Sequence, residues 1–485
     1  MPRNLPSWLP LVLLTLAAFG WRAWDLAARP MHADEANQAV KAGELLESGR
    51  YAYDPHDHHG PVLYYAVLPI AWARGQRTLA QLDEVTVRLV PALVGAASVF
   101  LLGLLAAPLG RWPALAAAAF LAASPPAVYY SRYFVQETLL ATFTLAAFVC
   151  ARRWWATGRA RWAAAAGACA GLMEAAKESA PLFVLAALAA LLATRGRAAG
   201  PAARRPLREA AVAAAAALAV AALFYSSFGA HPAGLGDALS AYVSQAERLD
   251  SGDTGHEKPW GYFLRLFAWQ RNGGLVFEQA GFSALALAGL VAAAATRTAL
   301  LRWAAAYSLL VLVALSSVAY KTPWHAIDLV PGFALLAAGA LGALPEGRIW
   351  RAAAATTALV VLGLLVHQAD KVARAYASDA RNPYAYVHSS PDVLKFRGLA
   401  DAARSRSPGA PVRVISEEYW PLPWYLRGMD GVGYWTSPPA DCDGALVIAS
   451  AGLADAVHAR LHGAYDRSYL GLRPGFVCVL FTPRK

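Results

Sequence analysis

The sequence predicts an all-α polytopic membrane protein with about 11 transmembrane helices, followed by a small C-terminal α/β domain outside the membrane. Of 485 residues, 58% are hydrophobic and 15% are charged, whereas a soluble globular protein has roughly 25% charged residues. Alanine- and leucine-rich runs recur along residues 1–367 and approach the roughly 20 residues that a helix needs to cross a bilayer. Beyond residue 367 the pattern changes to short apolar segments of strand length. We therefore predict a membrane domain at 1–367 and a soluble domain at 368–485.

The apolar runs predict the membrane spans, and the basic residues between them predict how the spans are oriented across the membrane. Loops rich in Arg and Lys stay on the cytoplasmic side of a membrane. The formal net charge of +11 comes largely from arginines in short loops between the apolar runs. We interpret these arginines as topology determinants, and no nucleic-acid partner is expected. The first run, Pro6–Trp24, has no clean cleavage site and is interpreted as an uncleaved span that begins in the cytoplasm. The spans are predicted at residues 7–25, 88–108, 113–128, 137–151, 162–176, 180–194, 209–225, 281–297, 302–319, 326–344 and 351–367.

One apolar segment, Tyr64–Ala73, is short, and its length alone leaves open whether it crosses the membrane. If it crossed the membrane, every later loop would change sides and all arginine clusters would lie outside. We therefore interpret it as an interfacial or re-entrant helix of a multi-pass protein in the cytoplasmic membrane. The loops 26–87 and 226–280 and the C-terminal domain are then extracytoplasmic. The loop 226–280 is predicted to start with an amphipathic helix and to end with an aromatic one.

The tail combines strand and helix patterns. The segments VRVISEE, GALVIAS and FVCVLFTP alternate or run apolar over strand-like lengths, and LADAVHARLHG has helical spacing. Two of the four cysteines, Cys442 and Cys478, lie in this tail. On the oxidising side of a membrane they are candidates for a disulfide, which the sequence alone leaves open.

Acidic and imidazole side chains concentrate in the first loop, in the stretches HADEANQAV and DPHDHHGP. Asp34 and Glu35 are adjacent, although neighbouring carboxylates near lipid are unfavourable when charged. They are either solvated loop residues or groups that serve as a base or bind a cation. A divalent metal is one alternative, because Asp and His suit such ions. No tight ligand spacing is present, so a metal on the following residues stays open: Asp34, His56, His58 and His59.

Three basic residues at separate helix ends are predicted to face the same side. They are Arg132 in SRYFVQE, Lys177 in EAAKES and Lys321 in YKTPWH. An arginine there can reach lipid headgroups, and Lys177 can form local ion pairs. The alternative is that all three bind a phosphate. Acids and bases gathered on one face suit an anionic lipid-linked substrate, whereas a transporter carries its charges near mid-membrane. Few ionisable residues lie mid-span, so transport is disfavoured.

These motifs resemble the GT-C superfamily of membrane glycosyltransferases. The resemblance is carried, in chain order, by HADE, HGPVLYY, SRYFVQE, AAKES, YKTPW and EEYWPLPWYLR. It is strongest to the branch of protein O-mannosyltransferases and lipid A aminoarabinose transferases, and to a prokaryotic subgroup called flippase-activity-associated proteins. The resemblance implies a GT-C-like fold with two juxtamembrane helices after the acidic motif, which agrees with Tyr64–Ala73 not spanning. Many members need no metal for chemistry, so no cofactor is firmly expected.

The resemblance also implies an activity and a role for each motif. The donor would be a polyprenyl-phosphate sugar, the acceptor a lipid, glycan or protein at the outer face, and the transfer inverting. Asp34 would be the general base and Glu35 would assist it, while Arg132, Lys177 and Lys321 would neutralise the departing phosphate. Family members often have Asp where this chain has Glu137, which leaves the role of Glu137 open. Residues expected to contact substrate are His58, His59, Glu137, Glu178, Trp324 and His325.

A second function class fits the same residues. The chain would then be a non-catalytic partner in the translocation or assembly of lipid-linked saccharides, and its cleft would bind polyprenyl phosphate without turnover. The two hypotheses differ in turnover. The enzyme would lose sugar transfer in an Asp34→Asn variant, whereas the binding protein would turn over no donor and would keep its lipid-phosphate binding in that variant.

Overall fold

The computed structural model describes residues 8–56, 59–194, 206–250, 256–296 and 298–484. Their contacts group the chain into two compact units. The first, called the membrane unit below, consists of residues 1–26, 50–66 and 88–376. The second, called the tail unit, consists of residues 27–49, 67–87 and 377–485. The boundary predicted between residues 367 and 368 differs from this grouping, because two segments of the first loop pack with the tail.

Helices form most of the membrane unit. In chain order the helices of the described residues are α1 (Leu9–Ala23), α2 (Ala33–Ser48), α3 (Val62–Ala73), α4 (Glu84–Ala106), α5 (Arg111–Ala123), α6 (Pro125–Tyr130), α7 (Glu137–Thr157), α8 (Ala160–Glu174), α9 (Ala180–Thr194), α10 (Pro206–Tyr225), α11 (Gly234–Asp250), α12 (Tyr262–Phe267), α13 (Ala280–Thr296), α14 (Ala299–Ser317), α15 (Ala326–Gly342), α16 (Arg348–Asp370), α17 (Phe396–Arg406), α18 (Leu422–Tyr425) and α19 (Ala454–His458). Between α12 and α13 a hairpin joins β1 (Trp269–Asn272) to β2 (Leu275–Glu278).

Each of the eleven predicted spans coincides with a helix, the span at 113–128 being divided into α5 and α6. In the described residues, five apolar helices have the length and composition to cross a membrane: 84–109, 207–225, 299–317, 323–342 and 348–375. Shorter apolar helices include α1, α3, α5, α9 and α13. These helices confirm a multi-pass membrane protein, and the orientation of its termini stays a prediction. Helix α3 has 12 residues and extends about 18 Å, less than the roughly 30 Å of a bilayer core.

Glycines let helices of the membrane unit approach closely. Gly167 and Gly171 lie one turn apart on α8, where it packs on α10. A Cβ at Gly167 would lie 2.0 Å from the carbonyl oxygen of Ala213, and one at Gly171 would lie 2.4 Å from that of Ala217. Small residues at this spacing are a common packing device between membrane helices, because they allow backbone contact.

The tail unit contains a five-stranded mixed sheet. Its strands are β3 (Val412–Ile415), β4 (Val432–Trp435), β5 (Leu446–Ser450), β6 (Tyr465–Arg473) and β7 (Phe476–Pro483), in the order β4-β3-β5-β7-β6. Strand β3 pairs in parallel with β4 and β5, and β7 pairs antiparallel with β5 and β6. The core under the sheet includes Ile415, Val447, Val457 and Phe481. The three strands and the helix α19 predicted from the sequence are confirmed, whereas β4 and β6 were missed.

The disulfide considered between Cys442 and Cys478 is absent. Both cysteines are free thiols and both are buried. Cys442 contributes to the core of the sheet, and Cys478 lies within β7, opposite Ser450 of β5. Both cysteines therefore act as small apolar side chains that fill the core.

Candidate active site

A buried ion pair joins two segments of the membrane unit. The Nζ of Lys177, between α8 and α9, donates to an Oε of Glu137, the first residue of α7. At the start of α15, His325 Nδ1 lies 3.4 Å from Asp328 Oδ2. Asp328 lies close enough to Lys177 for the two side chains to interact. These four residues, Glu137, Lys177, His325 and Asp328, are called the ionic cluster below.

The ionic cluster holds Lys177 in its charged form. Burial by itself lowers the pKa of a lysine, because the charged form loses water. The carboxylate of Glu137 more than offsets this effect, so the pKa of Lys177 is raised above its usual value. The pair is therefore a positive and a negative charge in direct contact in a poorly hydrated place, where their mutual attraction is strong.

Next to Lys177, the carboxylate of Glu178 has two partners from the first loop. Tyr53 donates its hydroxyl to one oxygen at 3.0 Å, and His59 Nδ1 lies 2.9 Å from the other. Burial raises the pKa of Glu178, but these two partners outweigh it and lower the pKa to about 2. Glu178 is thus an anion at neutral pH. Burial and the same carboxylate raise the pKa of Tyr53, which stays a hydrogen-bond donor.

Gly60 brings these residues together. A Cβ at this position would lie 2.3 Å from the carbonyl oxygen of Ala175, and the amide of Val62 donates to the same oxygen at 3.0 Å. The chain around HGP therefore lies directly against the turn that carries Lys177. A side chain at position 60 would separate the two segments, which explains why glycine stands here.

Arg132 binds the carboxyl end of α1. Its Nη1 donates to the carbonyl oxygens of Arg22 at 2.8 Å and Trp24 at 2.5 Å, and its Nη2 donates to the carbonyl oxygen of Asp25 at 3.1 Å. Carbonyls in the last turn of a helix lack partners within the helix, and a cation near them is stabilising. These bonds fix the end of α1, immediately before the loop that carries Asp34 in sequence.

Lys321 also bonds main-chain oxygens. Its Nζ donates to the carbonyl of Lys258 at 3.0 Å and to that of Val318. A short bridge between Glu257 and Tyr320 brings these segments together. Trp324 follows in a 3-10 turn that ends at His325. The three cations predicted to bind phosphate thus all have protein acceptors, and their role toward a phosphate stays a prediction.

Asp34 and Glu35 lie in the first turn of α2 in the tail unit and have different surroundings. Glu35 is 0% exposed, and its carboxylate accepts from Arg29 Nη2 at 2.9 Å and from the amide of His32 at 3.1 Å. The amide of Asp34 donates to Nδ1 of His32 at 3.0 Å. His32 and Glu35 therefore form a capping box at the start of the helix. The Asp34 side chain is 50% exposed, so of the pair it is the one that solvent or a substrate reaches.

The metal candidates are not brought together. The described residues contain one group of three His, Asp or Glu side chains whose ligand atoms lie within 4.8 Å of one another, and it is Asp441, Asp443 and His462. None of the predicted candidates belongs to it. His56 lies beside Ser244, His59 pairs with Glu178, and His58 lies outside the described residues.

Sequence reasoning missed four residues that the structure places in these groups. Asp328 and Tyr53 join the groups around Lys177 and Glu178, and Arg29 and His388 join the group around Glu35. Asp328 carried a usable signal, since a carboxylate near the start of an apolar span is a functional candidate by default. His388 carried none, because it is 353 residues from Glu35 in the chain.

A comparison of sequences identifies a family for part of the chain. Residues 68–226 match the family described as Dolichyl-phosphate-mannose-protein mannosyltransferase. No protein of curated function matches the chain in sequence.

Solved structures share the fold over nearly the whole length. ArnT from Cupriavidus metallidurans in the apo state is 16% identical, with a TM-score of 0.67, and the similarity covers 97% of each chain. The same protein bound to undecaprenyl phosphate gives a TM-score of 0.66 over 98% of each chain, also at 16% identity. The oligosaccharyltransferase of Archaeoglobus fulgidus, tethered with an acceptor peptide, gives 0.57 at 14% identity, over 97% of this chain and 74% of that one. The chain therefore has the fold of ArnT and of the archaeal oligosaccharyltransferase, and its residues 68–226 match a mannosyltransferase family.

Proposed function

We propose that this protein transfers a sugar from a polyprenyl-phosphate donor to an acceptor at the outer face of the cytoplasmic membrane, with inversion and with Asp34 as the general base. The fold supports the donor class, since the ArnT structure that shares it has been solved bound to undecaprenyl phosphate. The observation that carries the base assignment is the contrast within the acidic pair. Glu35 is enclosed by Arg29 and the helix cap, whereas half of the Asp34 side chain is exposed.

In the proposed reaction the Asp34 carboxylate takes the proton of an acceptor hydroxyl. The hydroxyl oxygen attacks the anomeric carbon from the side opposite the phosphate, so the configuration inverts. The bond between that carbon and the phosphate oxygen breaks, and polyprenyl phosphate leaves with the bonding electrons. Lys177, Arg132 and Lys321 are proposed to stabilise the growing phosphate charge. His59, Glu178, Glu137, Trp324 and His325 are proposed to contact donor or acceptor.

The test is a transfer assay on purified protein with a panel of polyprenyl-phosphate monosaccharides and with lipid, glycan and peptide acceptors. Mass spectrometry detects the glycosylated acceptor and the released polyprenyl phosphate. We expect Asp34→Asn to abolish transfer while its affinity for undecaprenyl phosphate is unchanged. Glu44→Gln, an exposed carboxylate on the same helix that pairs with Lys41, is the matched control and keeps wild-type transfer.

Three outcomes decide between the hypotheses. Transfer retained by Asp34→Asn removes the base assignment. Binding of undecaprenyl phosphate without turnover of any donor by the wild type favours the non-catalytic binding protein. A product that keeps the anomeric configuration of the donor excludes inversion.

A further inference from the structure

The cap that precedes Asp34 is held by a chain of buried polar groups within the tail unit. The Nη2 of Arg29 donates to Glu35, and its Nη1 lies 2.7 Å from Nε2 of His388. Arg29, Glu35 and His388 are all buried. A guanidinium is only a donor, so Nε2 of His388 accepts this bond. Nδ1 then carries the proton and donates to the carbonyl of Ser389 at 3.1 Å.

The same stretch of the tail contacts His32. Nε2 of His32 donates to the carbonyl oxygen of Tyr386 at 3.1 Å, which leaves Nδ1 to accept the amide of Asp34. The rings of His32 and His388 meet edge to face, with centroids 5.7 Å apart. Residues 386–389 thus contact His32 directly and are linked to Glu35 through Arg29.

Val387, between these two contacts, has a left-handed backbone with φ of 48°. This conformation is rare for a β-branched residue and is energetically unfavourable. A strained residue persists where its surroundings fix it. Here the two fixed neighbours are the carbonyl of Tyr386 and the imidazole of His388.

We propose that Arg29 and His388 are positioning residues for the base: together they hold Glu35 in the cap of α2 and thereby fix the direction of the Asp34 carboxylate. The inference rests on the proposed role of Asp34. Glu35 then acts through Asp34 and does not touch substrate, which explains why an acidic residue beside the base is fully buried. Burial first, and then the neighbouring Arg29, lower the pKa of His388 well below its usual value, so its Nε2 stays an acceptor.

The test uses the full-length purified protein and three variants, with a fourth variant as a substitute for the first. His388→Phe removes the acceptor but keeps a ring of similar size. His388→Gln keeps an acceptor near the position of Nε2. His458→Phe is the matched control, since His458 is an exposed histidine of the same unit that stacks on Phe481. Arg29→Lys repeats the test if His388→Phe does not fold, because one ammonium cannot replace both guanidinium contacts.

Two measurements are made on each variant. Hydrogen exchange of the peptide spanning residues 31–36 reports the cap and needs no donor. Transfer kinetics with the active donor report how well Asp34 acts as the base. Binding of undecaprenyl phosphate alone reports whether the lipid-phosphate site is intact. For His388→Phe we expect faster exchange, kcat lower by about tenfold or more and binding within about twofold of wild type. His388→Gln and the control stay close to wild type.

If hydrogen exchange in residues 31–36 is unchanged in His388→Phe, the inference is overturned. This result does not require that the donor be known. Faster exchange with unchanged kcat also overturns it, as does an equal loss of kcat in His388→Gln. A parallel loss of undecaprenyl phosphate binding would show a general structural defect and overturn it too. Retained transfer by Asp34→Asn is a separate result, because it removes the proposed base whatever the cap does.

Discussion

Lys177 and Glu137, 40 residues apart in the chain, form an ion pair in which both side chains are buried. A buried pair contributes little net stability, yet removing one partner leaves an uncompensated charge. The pair therefore fixes the turn between α8 and α9 to the start of α7. This relationship gives the first prediction.

Lys177→Met should lower the free energy of unfolding by about 3–5 kcal/mol, because the Glu137 carboxylate stays buried without its partner. In the double variant Lys177→Met/Glu137→Gln the loss should be smaller than the sum of the single losses. Denaturant unfolding in detergent measures both. Lys41→Met is the control, since Lys41 pairs with Glu44 at the surface and should cost less than about 1 kcal/mol. Additive losses would contradict a direct interaction.

Glu178 should give the protein an acid-dependent stability. Its pKa in the folded protein is about 2, below the roughly 4.3 of a free glutamate. A lowered pKa stabilises the fold at pH values above the unfolded pKa, and this contribution disappears as pH falls through the folded one. Glu178→Gln should therefore be less stable than wild type at neutral pH. The difference should shrink between about pH 4.3 and about pH 2. Thermal unfolding across this range measures it, and a difference independent of pH would refute the assignment.

The fold was predictable where a local pattern sets it. Apolar runs predicted the helices of the membrane unit, and the interpretation of Tyr64–Ala73 as a helix that does not span the membrane stays a prediction. The missed strand β6 (Tyr465–Arg473) is exposed at four consecutive positions, 466–469, so it lacks the alternating burial of a half-buried strand. The groups around Lys177 and Glu35 depend on residues far apart in sequence, such as His388, and single-sequence patterns hold no information on such contacts. A predicted cavity shared by Asp34, Arg132 and Lys321 stays a prediction.

Trp424 should contribute to the tail unit through one hydrogen bond as well as through packing. Its Nε1 donates to Glu84 at 2.7 Å, and Arg427 stacks on its ring at 3.9 Å while donating to the carbonyl of Leu82. Trp424→Phe keeps most of the packing and leaves the carboxylate without this donor. We expect a loss of about 1–3 kcal/mol in the free energy of unfolding. Adding Glu84→Gln should recover part of it, and a further full loss on adding Glu84→Gln would contradict the bond.

The four cysteines should all react as free thiols after denaturation without reductant. In the native protein the two cysteines of the tail should react slowly with maleimide, because the thiolate is the nucleophile. Burial raises the pKa of Cys478 to about 12, which lowers its thiolate fraction on the order of a thousandfold relative to a free cysteine. Intact-mass spectrometry should count four labels after denaturation, and two in a Cys442→Ser/Cys478→Ser variant. Only two labels on the denatured wild type, rising to four after reduction, would show a disulfide that this fold does not contain.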